Sequence, residues 1–542
     1  MKKILIVGGV AGGASAAARL RRLNEKAEII LFERGEHISF ANCGLPYYIG
    51  GEIVAKEKLT LQTPESFQAQ FNIDVRVFNE VMSINKKAKT ITVKNHITNE
   101  IYTESYDKLI LSPGAEPIKP NIEGINSNKV FTLRNIPDTF KIKEYIETNH
   151  SKSAAIVGGG FIGVEMAENL HAIGLEVTLI EMQEQILPPL DYDMACDVHQ
   201  YMERKGINLT LKNGVKAIID NGDTLTIKLN EGEVRADILI MAIGVRPESG
   251  LARDAGLDVS EHGHIIVSDN MLTSDPNILA VGDAVGPIPL AGPANKQGRI
   301  AADVICELDS QYIGTQGSAI LKIFDMTVAS TGVNEKTALR LGLDYDKSFI
   351  YSADHATYYP GATYMSIKTI FEKKTGKILG AQIVGFDGVD KRCDVFATAI
   401  YAGMTAYDLT KLELCYAPPY SSAKDPVNMA GFVIENLLTD KVKHFHWHDV
   451  NNLPSDGSVT LLDIRTQVEY ESGAINGFIN IPLNELRNRL NELDKSKPVY
   501  VTCQIGIRGY VAARILTQNG FDVYNLSGGY RLYRNVYLYI SH

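Results

Sequence analysis

Cysteine is scarce in this sequence, with six residues among 542, at positions 43, 196, 306, 393, 415 and 503. That is too few for a disulfide scaffold, and no CxxC pair offers a metal site, so thiol chemistry in a cytoplasmic setting is expected. Long hydrophobic runs are also missing, since no stretch reaches the roughly 20 apolar residues needed to cross a bilayer. A basic excess is absent as well. With 54 lysines and arginines against 64 aspartates and glutamates, the net charge of -10 argues against broad binding to nucleic acid or to anionic membranes. There is no short-period repeat and no low-complexity tract. What remains is a chain 45% hydrophobic and 22% charged, the profile of a globular protein with sizeable cores. At about 150 residues per domain its length allows three to four domains.

The opening MKKILIVGGVAGGASAAARL has the lysines, apolar run and small residues of a signal peptide. Gly8, Gly9, Gly12 and Gly13 interrupt that run, and LRRLNEKAEIILFER continues an α/β pattern, so a cleaved leader is not expected. Residues 3–8 read as a buried strand, Ala14–Leu23 as a helix and Glu28–Glu33 as the next strand. The same grammar returns at Ala154–Gly158, Val164–Ile173 and Glu176–Glu181. Two glycine turns of this kind imply two nucleotide cofactors. From Gly317 to Leu438 the pattern changes to alternating strands such as TYMSIKTIFEK and KILGAQIVGF followed by helices, an α+β module. KVKHFHWHDVNNLPSDGS reads as a connector, and a small α/β domain follows it.

A dinucleotide turn needs glycine where the chain bends, where backbone meets the pyrophosphate, and where helix packs on strand. Gly158, Gly160 and Gly163 fill all three roles at the second turn. Glu181 ends the following strand, where it can bond ribose hydroxyls and repel a 2'-phosphate, which favours NADH over NADPH. At the first turn Gly8 and Gly13 hold the outer positions and Glu33 the acidic end, but Val10 replaces the middle glycine.

With these turns the sequence resembles the flavin-dependent pyridine nucleotide–disulfide oxidoreductase family, which binds FAD at the first turn and NAD(P)H at the second. YDKLILSPGAEP, IMAIGVRP and TSDPNILAVGDA match further family segments, and the last places Gly282 and Asp283 at the flavin ribitol. The resemblance implies FAD-binding residues 1–112 and 250–316, NAD(P)H-binding residues 113–249, and an α+β dimerisation domain at 317–440. A linker at 441–452 and an α/β rhodanese domain at 453–542 complete the expected order. The fold class is therefore α/β, with two Rossmann-like domains at its head.

ISFANCGLPYYIGG sets Cys43 soon after Glu33. Most family members carry a second cysteine a few residues on, but here Leu45, Pro46, Tyr47 and Tyr48 stand there. Taken alone, such a cysteine is more often buried and inert. As a redox centre it can form a mixed disulfide with an external thiol, or a sulfenic acid, and a nearby flavin, dipole or cation would favour its thiolate. SFxxCGLPYY is similar to the single-cysteine branch of the family that reduces coenzyme A disulfides. The peroxide-using branch has a histidine in the first turn, where this chain has Ala11.

Coenzyme A phosphates need cations. Arg19, Arg22 and Lys26 are spaced to share a helix face, and the resemblance favours Arg19 and Arg22 over a merely solvated face. Ser39, Asn42, Asn295 and Arg299 are further candidates for substrate contact. The relatives also draw two tyrosines from a neighbouring subunit to protonate the leaving thiolate, which implies a homodimer. DHATYYPGA and LCYAPPYSSAKDP match those regions; Tyr358 and Tyr416 are the choices, with Tyr359 and Tyr420 as near alternatives.

The C-terminal segment LLDIRTQVEYESGAINGFINIP resembles a rhodanese domain, with Asp463 and Arg465 structural. CQIGIRGYVAARIL supplies a loop from Cys503 to Arg508 whose backbone N–H groups, at a helix N-terminus, would stabilise a thiolate or persulfide. Arg508 adds charge or anchors the loop. His444, His446 and His448 alternate along the connector, but no cysteine or carboxylate cluster accompanies them, so packing is favoured over metal binding. Together these features imply an FAD-dependent NAD(P)H oxidoreductase. It would reduce coenzyme A persulfide, polysulfide and disulfide to coenzyme A thiol and hydrogen sulfide. The alternatives are a plain coenzyme A disulfide reductase with an accessory rhodanese domain, an NADH oxidase, or a non-enzymatic flavin redox sensor.

Overall fold

Ile4, Leu5 and Ile6 are buried on both faces, as a parallel strand covered by helices requires, and Lys3–Val7 accordingly lies at the centre of its sheet. In this computed structural model, which describes residues 2–286 and 288–540, the sheet order is Ile278–Ala280, Lys108–Leu111, Lys3–Val7, Glu28–Phe32, Asp74–Arg76, all parallel. Helix Ala11–Leu23 crosses from the first strand to the second and packs on helix Ala291–Ile305. The helix pair is close because it is glycine-lined: a Cβ on Gly298 would lie 2.3 Å from the Gly12 carbonyl oxygen. A second parallel sheet runs Glu176–Ile180, Ser153–Val157, Ile238–Met241, Val130–Phe131, with helix Phe161–Ala172 as its crossover. Both crossover helices begin three residues earlier than the sequence pattern suggests. The third glycine of each turn therefore lies inside the first helical turn, and the free amides of that turn face the phosphate position.

The chain forms two units, Met1–Met182 with Thr210–Thr315, and Gln183–Leu209 with Gln316–His542. The first holds both parallel sheets. The second contains a five-stranded antiparallel sheet in the order Ala319–Ile323, Met326–Gly332, Ile378–Gly385, Tyr364–Glu372, Tyr345–Ala353. Helices Val389–Tyr401 and Pro426–Leu438 bury Phe396 and Ile434 against Ile367 and Ile383 of that sheet. The second unit also contains a parallel sheet, Lys443–Phe445, Val523–Leu526, Val499–Thr502, Thr460–Asp463, Ile479–Asn480.

One expectation is corrected here. Residues 441–452 are not a plain linker, because Lys443–Phe445 pairs as the edge strand of the last sheet and Trp447–Asn452 forms a short 3-10 helix. Phe445 supplies the reason, being 4% exposed among Val450, Ile475, Phe478 and Leu526. No described helix is long and apolar enough to cross a membrane.

Candidate functional site

The two glycine turns are built alike. Gly158 has φ +108°, and a Cβ there would sit 2.4 Å from the Ala242 carbonyl oxygen, while one on Gly163 would sit 1.9 Å from that of Gly158. Gly160 differs, since a Cβ on it would meet nothing within 4 Å, and open space at this position suits a pyrophosphate. Glu181 Oε2 accepts the Gly159 N–H at 2.7 Å, which points the acidic end of the strand back at the turn. At the first turn Gly8 and Gly13 make the same close contacts, to Ser112 and to Gly8. Glu33 accepts the N–H groups of Gly9 at 3.0 Å and Gly35 at 2.9 Å. Val10 is the N-cap of the first helix, so the departure from glycine leaves the turn intact. Gly282, at φ +81°, donates its N–H to Gln297 Oε1 at 2.7 Å and presents Asp283 to a cavity of about 300 Å³ that Leu290, Ala294 and Tyr312 also line. These residues fit a flavin dinucleotide at the first turn and a nicotinamide dinucleotide at the second.

Cys43 lies in a short 3-10 helix, Asn42–Gly44, that leads into helix Leu45–Ile49. The segment is tied to the first glycine turn, because the Ser39 N–H donates to the Gly9 carbonyl at 2.8 Å. It is tied to the second nucleotide domain through Gly50, whose missing Cβ leaves room for Asn169 on helix Phe161–Ala172. All six cysteines are free, and Cys43 is exposed. Loss of water around it pushes its thiol pKa up, the carboxylates of Glu165 and Asp283 add to that, and Arg134 opposes them. Among these groups Arg134 is the one that favours the thiolate.

Two residues here escaped the sequence reading. Glu165 is pushed up to about 7 by burial and by the charge of Glu168, so it can hold a proton near neutrality. It is the fifth residue of helix Phe161–Ala172. Arg134 donates to Asp283 Oδ2 at 2.8 Å, and nothing in the TLRN segment marked it.

The expected cationic face is only partly realised. Arg19 Nε donates to Asp303 Oδ1 at 2.8 Å across the helix pair, so its charge is already matched. Lys26 lies beyond the helix, which closes at Leu23 with Asn24 as cap, and the three residues do not form one face. Arg22 and Arg299 are exposed cations on the two paired helices. Asn295 accepts from the Ser15 hydroxyl, joining the same helices. Ser39 and Asn42 flank Cys43 half-buried.

In the second unit the hydroxyls of Tyr358 and Tyr416 are hydrogen-bonded to each other, and both rings are exposed. Tyr359 and Tyr420 are exposed as well, and Tyr359 packs edge-on to His355 instead. The loops that carry these tyrosines are held by Arg392, which is 1% exposed. It donates to the carbonyls of Asp354 at 2.9 Å and Tyr420 at 3.3 Å, and forms an ion pair with Asp425 at 2.9 Å.

Cys503 follows strand Val499–Thr502 and opens the loop to helix Ile507–Gln518. Its Sγ accepts the Gly506 N–H at 3.1 Å. Burial nonetheless pushes the thiol up, more than the N–H groups of Gly509, Ile505 and Gly506 and the charge of Arg508 pull it down. Arg508 takes the anchoring role, with a bidentate bond to Glu469 at 2.8 and 2.6 Å. Asp463 and Arg465 form a buried pair at 2.7 Å, and Arg465 reaches Gln504 Oε1 at 3.4 Å, bracing the loop from below.

Residues 2–298 match the pyridine nucleotide-disulphide oxidoreductase family, 318–426 its dimerisation domain and 446–535 the rhodanese-like domain. Coenzyme A disulfide reductase of Staphylococcus haemolyticus is 37% identical over 448 residues, covering 81% of this chain and all of that protein. The crystal structure of reduced Bacillus anthracis CoADR-RHD superposes with a TM-score of 0.97 at 53% identity, covering 99% of this chain and 98% of that one. An NAD-dependent persulfide reductase from A. fulgidus gives a TM-score of 0.92 at 37% identity, covering 98% and 100%.

Proposed function

The chain belongs to the pyridine nucleotide-disulphide oxidoreductase family, as a flavin-dependent enzyme with a C-terminal rhodanese domain, and from that premise we propose that it reduces coenzyme A persulfide and coenzyme A disulfide with electrons from NADH. The observation that carries the reading is Cys43, exposed and free, on a segment anchored directly to the first glycine turn. With no local cysteine partner, its disulfide form needs a sulfur brought from outside.

The Cys43 thiolate attacks the sulfur attached to coenzyme A, forming a Cys43–coenzyme A mixed disulfide. A persulfide substrate expels hydrosulfide in this step, and a disulfide substrate expels coenzyme A thiolate. A leaving coenzyme A thiolate takes a proton from the Tyr358–Tyr416 pair, supplied by the second subunit of a homodimer, since a phenol pKa of about 10 lies within about two units of a thiol's, whereas hydrosulfide leaves as the anion. Glu33, Asp283 and the first glycine turn would hold FAD, and Glu181 with Gly158, Gly160 and Gly163 would hold NADH. Bound at the first turn, the flavin would carry the electron pair of NADH to the disulfide at Cys43. Arg22 and Arg299 are the exposed cations for the coenzyme A phosphates, with Arg19 in reserve behind Asp303, and Ser39, Asn42 and Asn295 offer polar contacts. Cys503 takes the sulfane sulfur of a donor such as thiosulfate, whose sulfite leaves, holds it as a persulfide and passes it to coenzyme A thiolate, which frees Cys503 and supplies the substrate for Cys43.

The test is the ratio of kcat/KM for coenzyme A persulfide to that for the disulfide, in wild type and Cys43→Ser. Activity on both substrates and none in the variant is expected. A tenfold preference for the disulfide would leave a coenzyme A disulfide reductase with an accessory rhodanese domain. Full activity in the variant removes Cys43 as nucleophile.

A further inference from the structure

No carboxylate cluster accompanies the alternating histidines of the connector in the sequence, and the fold brings a remote carboxylate to two of them. Phe445 turns into the core of the last sheet, so His444 and His446 project on its other side, towards Asp346 on strand Tyr345–Ala353. One nitrogen from each histidine and one oxygen of Asp346 lie within 4.8 Å of one another.

The spacing is informative. His444 Nε2 stands 3.5 Å from Asp346 Oδ2. That exceeds the usual N–H···O distance of about 2.7–3.2 Å, but lies near the ~3.4 Å edge of a tetrahedron with metal–ligand bonds of about 2.1 Å. Asp346 Oδ1 is already used by the Lys347 N–H at 2.7 Å, which leaves Oδ2 turned to the histidines. His448 stands apart, since its two nitrogens meet Lys347 at 3.2 Å and Asp449 at 3.1 Å.

The two ammonium groups nearest the cluster are themselves paired. Lys347 and Lys368 lie close by, but Lys347 is paired with Glu335, and Lys368 with Glu335 and Asp193, both at 2.8 Å, and Asp191 at 3.1 Å. Asp449 accepts the His446 N–H at 2.8 Å.

We propose that Asp346, His444 and His446 bind a divalent ion of the Zn²⁺ class, with water at the fourth position. Two imidazoles and one carboxylate suit such an ion better than Mg²⁺ or Ca²⁺. The ion would pin the edge strand of the rhodanese sheet to the antiparallel sheet that precedes it in the chain.

FAD-loaded full-length protein would be stripped with chelator, incubated with Zn²⁺ or Co²⁺, gel-filtered and assayed for retained metal. One equivalent per chain is expected in wild type, in His448→Gln, and in a Cys43→Ser/Cys503→Ser double variant. At least tenfold weaker binding is expected in Asp346→Asn, His444→Gln and His446→Gln, with the flavin spectrum and melting curve confirming folding. Should one of these three fail to fold, Co²⁺ in the wild type gives a separate reading, expected to show d–d bands without thiolate charge transfer. No retained metal in wild type, equal retention in folded ligand variants, loss in the cysteine variant, or a thiolate band with Co²⁺ would each overturn the site.

Discussion

The hydroxyl oxygens of Tyr358 and Tyr416 lie 2.8 Å apart, although the two residues sit on separate loops of the second unit. When one phenol donates to the other, the second is left with a proton free to offer outward. Tyr358→Phe and Tyr416→Phe are each expected to lower kcat on coenzyme A disulfide by about 10- to 100-fold. The double variant should lose little more than either single one, because the pair acts as a unit. Additive losses, or an effect on KM alone, would show that the tyrosines bind substrate and do not donate.

Gly160 and Gly163 separate binding from folding. A Cβ at Gly160 enters open space, whereas one at Gly163 strikes the Gly158 carbonyl at 1.9 Å. Gly160→Ala should therefore fold and melt as wild type while the KM for NADH rises about tenfold, because the methyl obstructs the pyrophosphate. Gly163→Ala should lower the melting temperature itself. Steady-state kinetics with thermal denaturation read the two effects apart.

Cys503 carries a pH signature. Burial raises its thiol, so the reactive thiolate is a minor form at neutral pH and its fraction climbs with alkalinity. Sulfur loading from thiosulfate should rise by about tenfold per pH unit from about pH 7 through the ordinary thiol range near 8.5 without levelling off. A plateau below pH 8 would mean that the loop amides outweigh burial. Cys503→Ser should abolish loading and spare coenzyme A disulfide reduction.

Arg392 is the buried support of the tyrosine loops. Replacing it with Met leaves Asp425, itself 2% exposed, without its guanidinium, at a cost of about 3–5 kcal/mol in chemical denaturation. Arg392→Lys keeps the charge but not the forked donors, and should fall between.

Much of the fold was legible because its signals are local. Glycines spaced to turn a strand into a helix, acidic strand ends and short buried strands locate both nucleotide units without tertiary information. Helix starts were read late because the third glycine of each turn looks like a loop residue and is in fact helical. The connector pattern misleads for a similar reason, since Phe445 becomes a core residue only once Val523–Leu526 lies beside it.

The sequence by itself determined the order of the modules, the cysteine without a neighbour, and the loop around Cys503, because each depends on residues close together in the chain. Only the tertiary structure decided which tyrosines pair, that Asp303 claims Arg19, that burial outweighs the amides at Cys503, and that Asp346 meets His444 and His446. Each of those outcomes depends on distance and water exclusion between segments remote in the chain, which residue order alone does not specify.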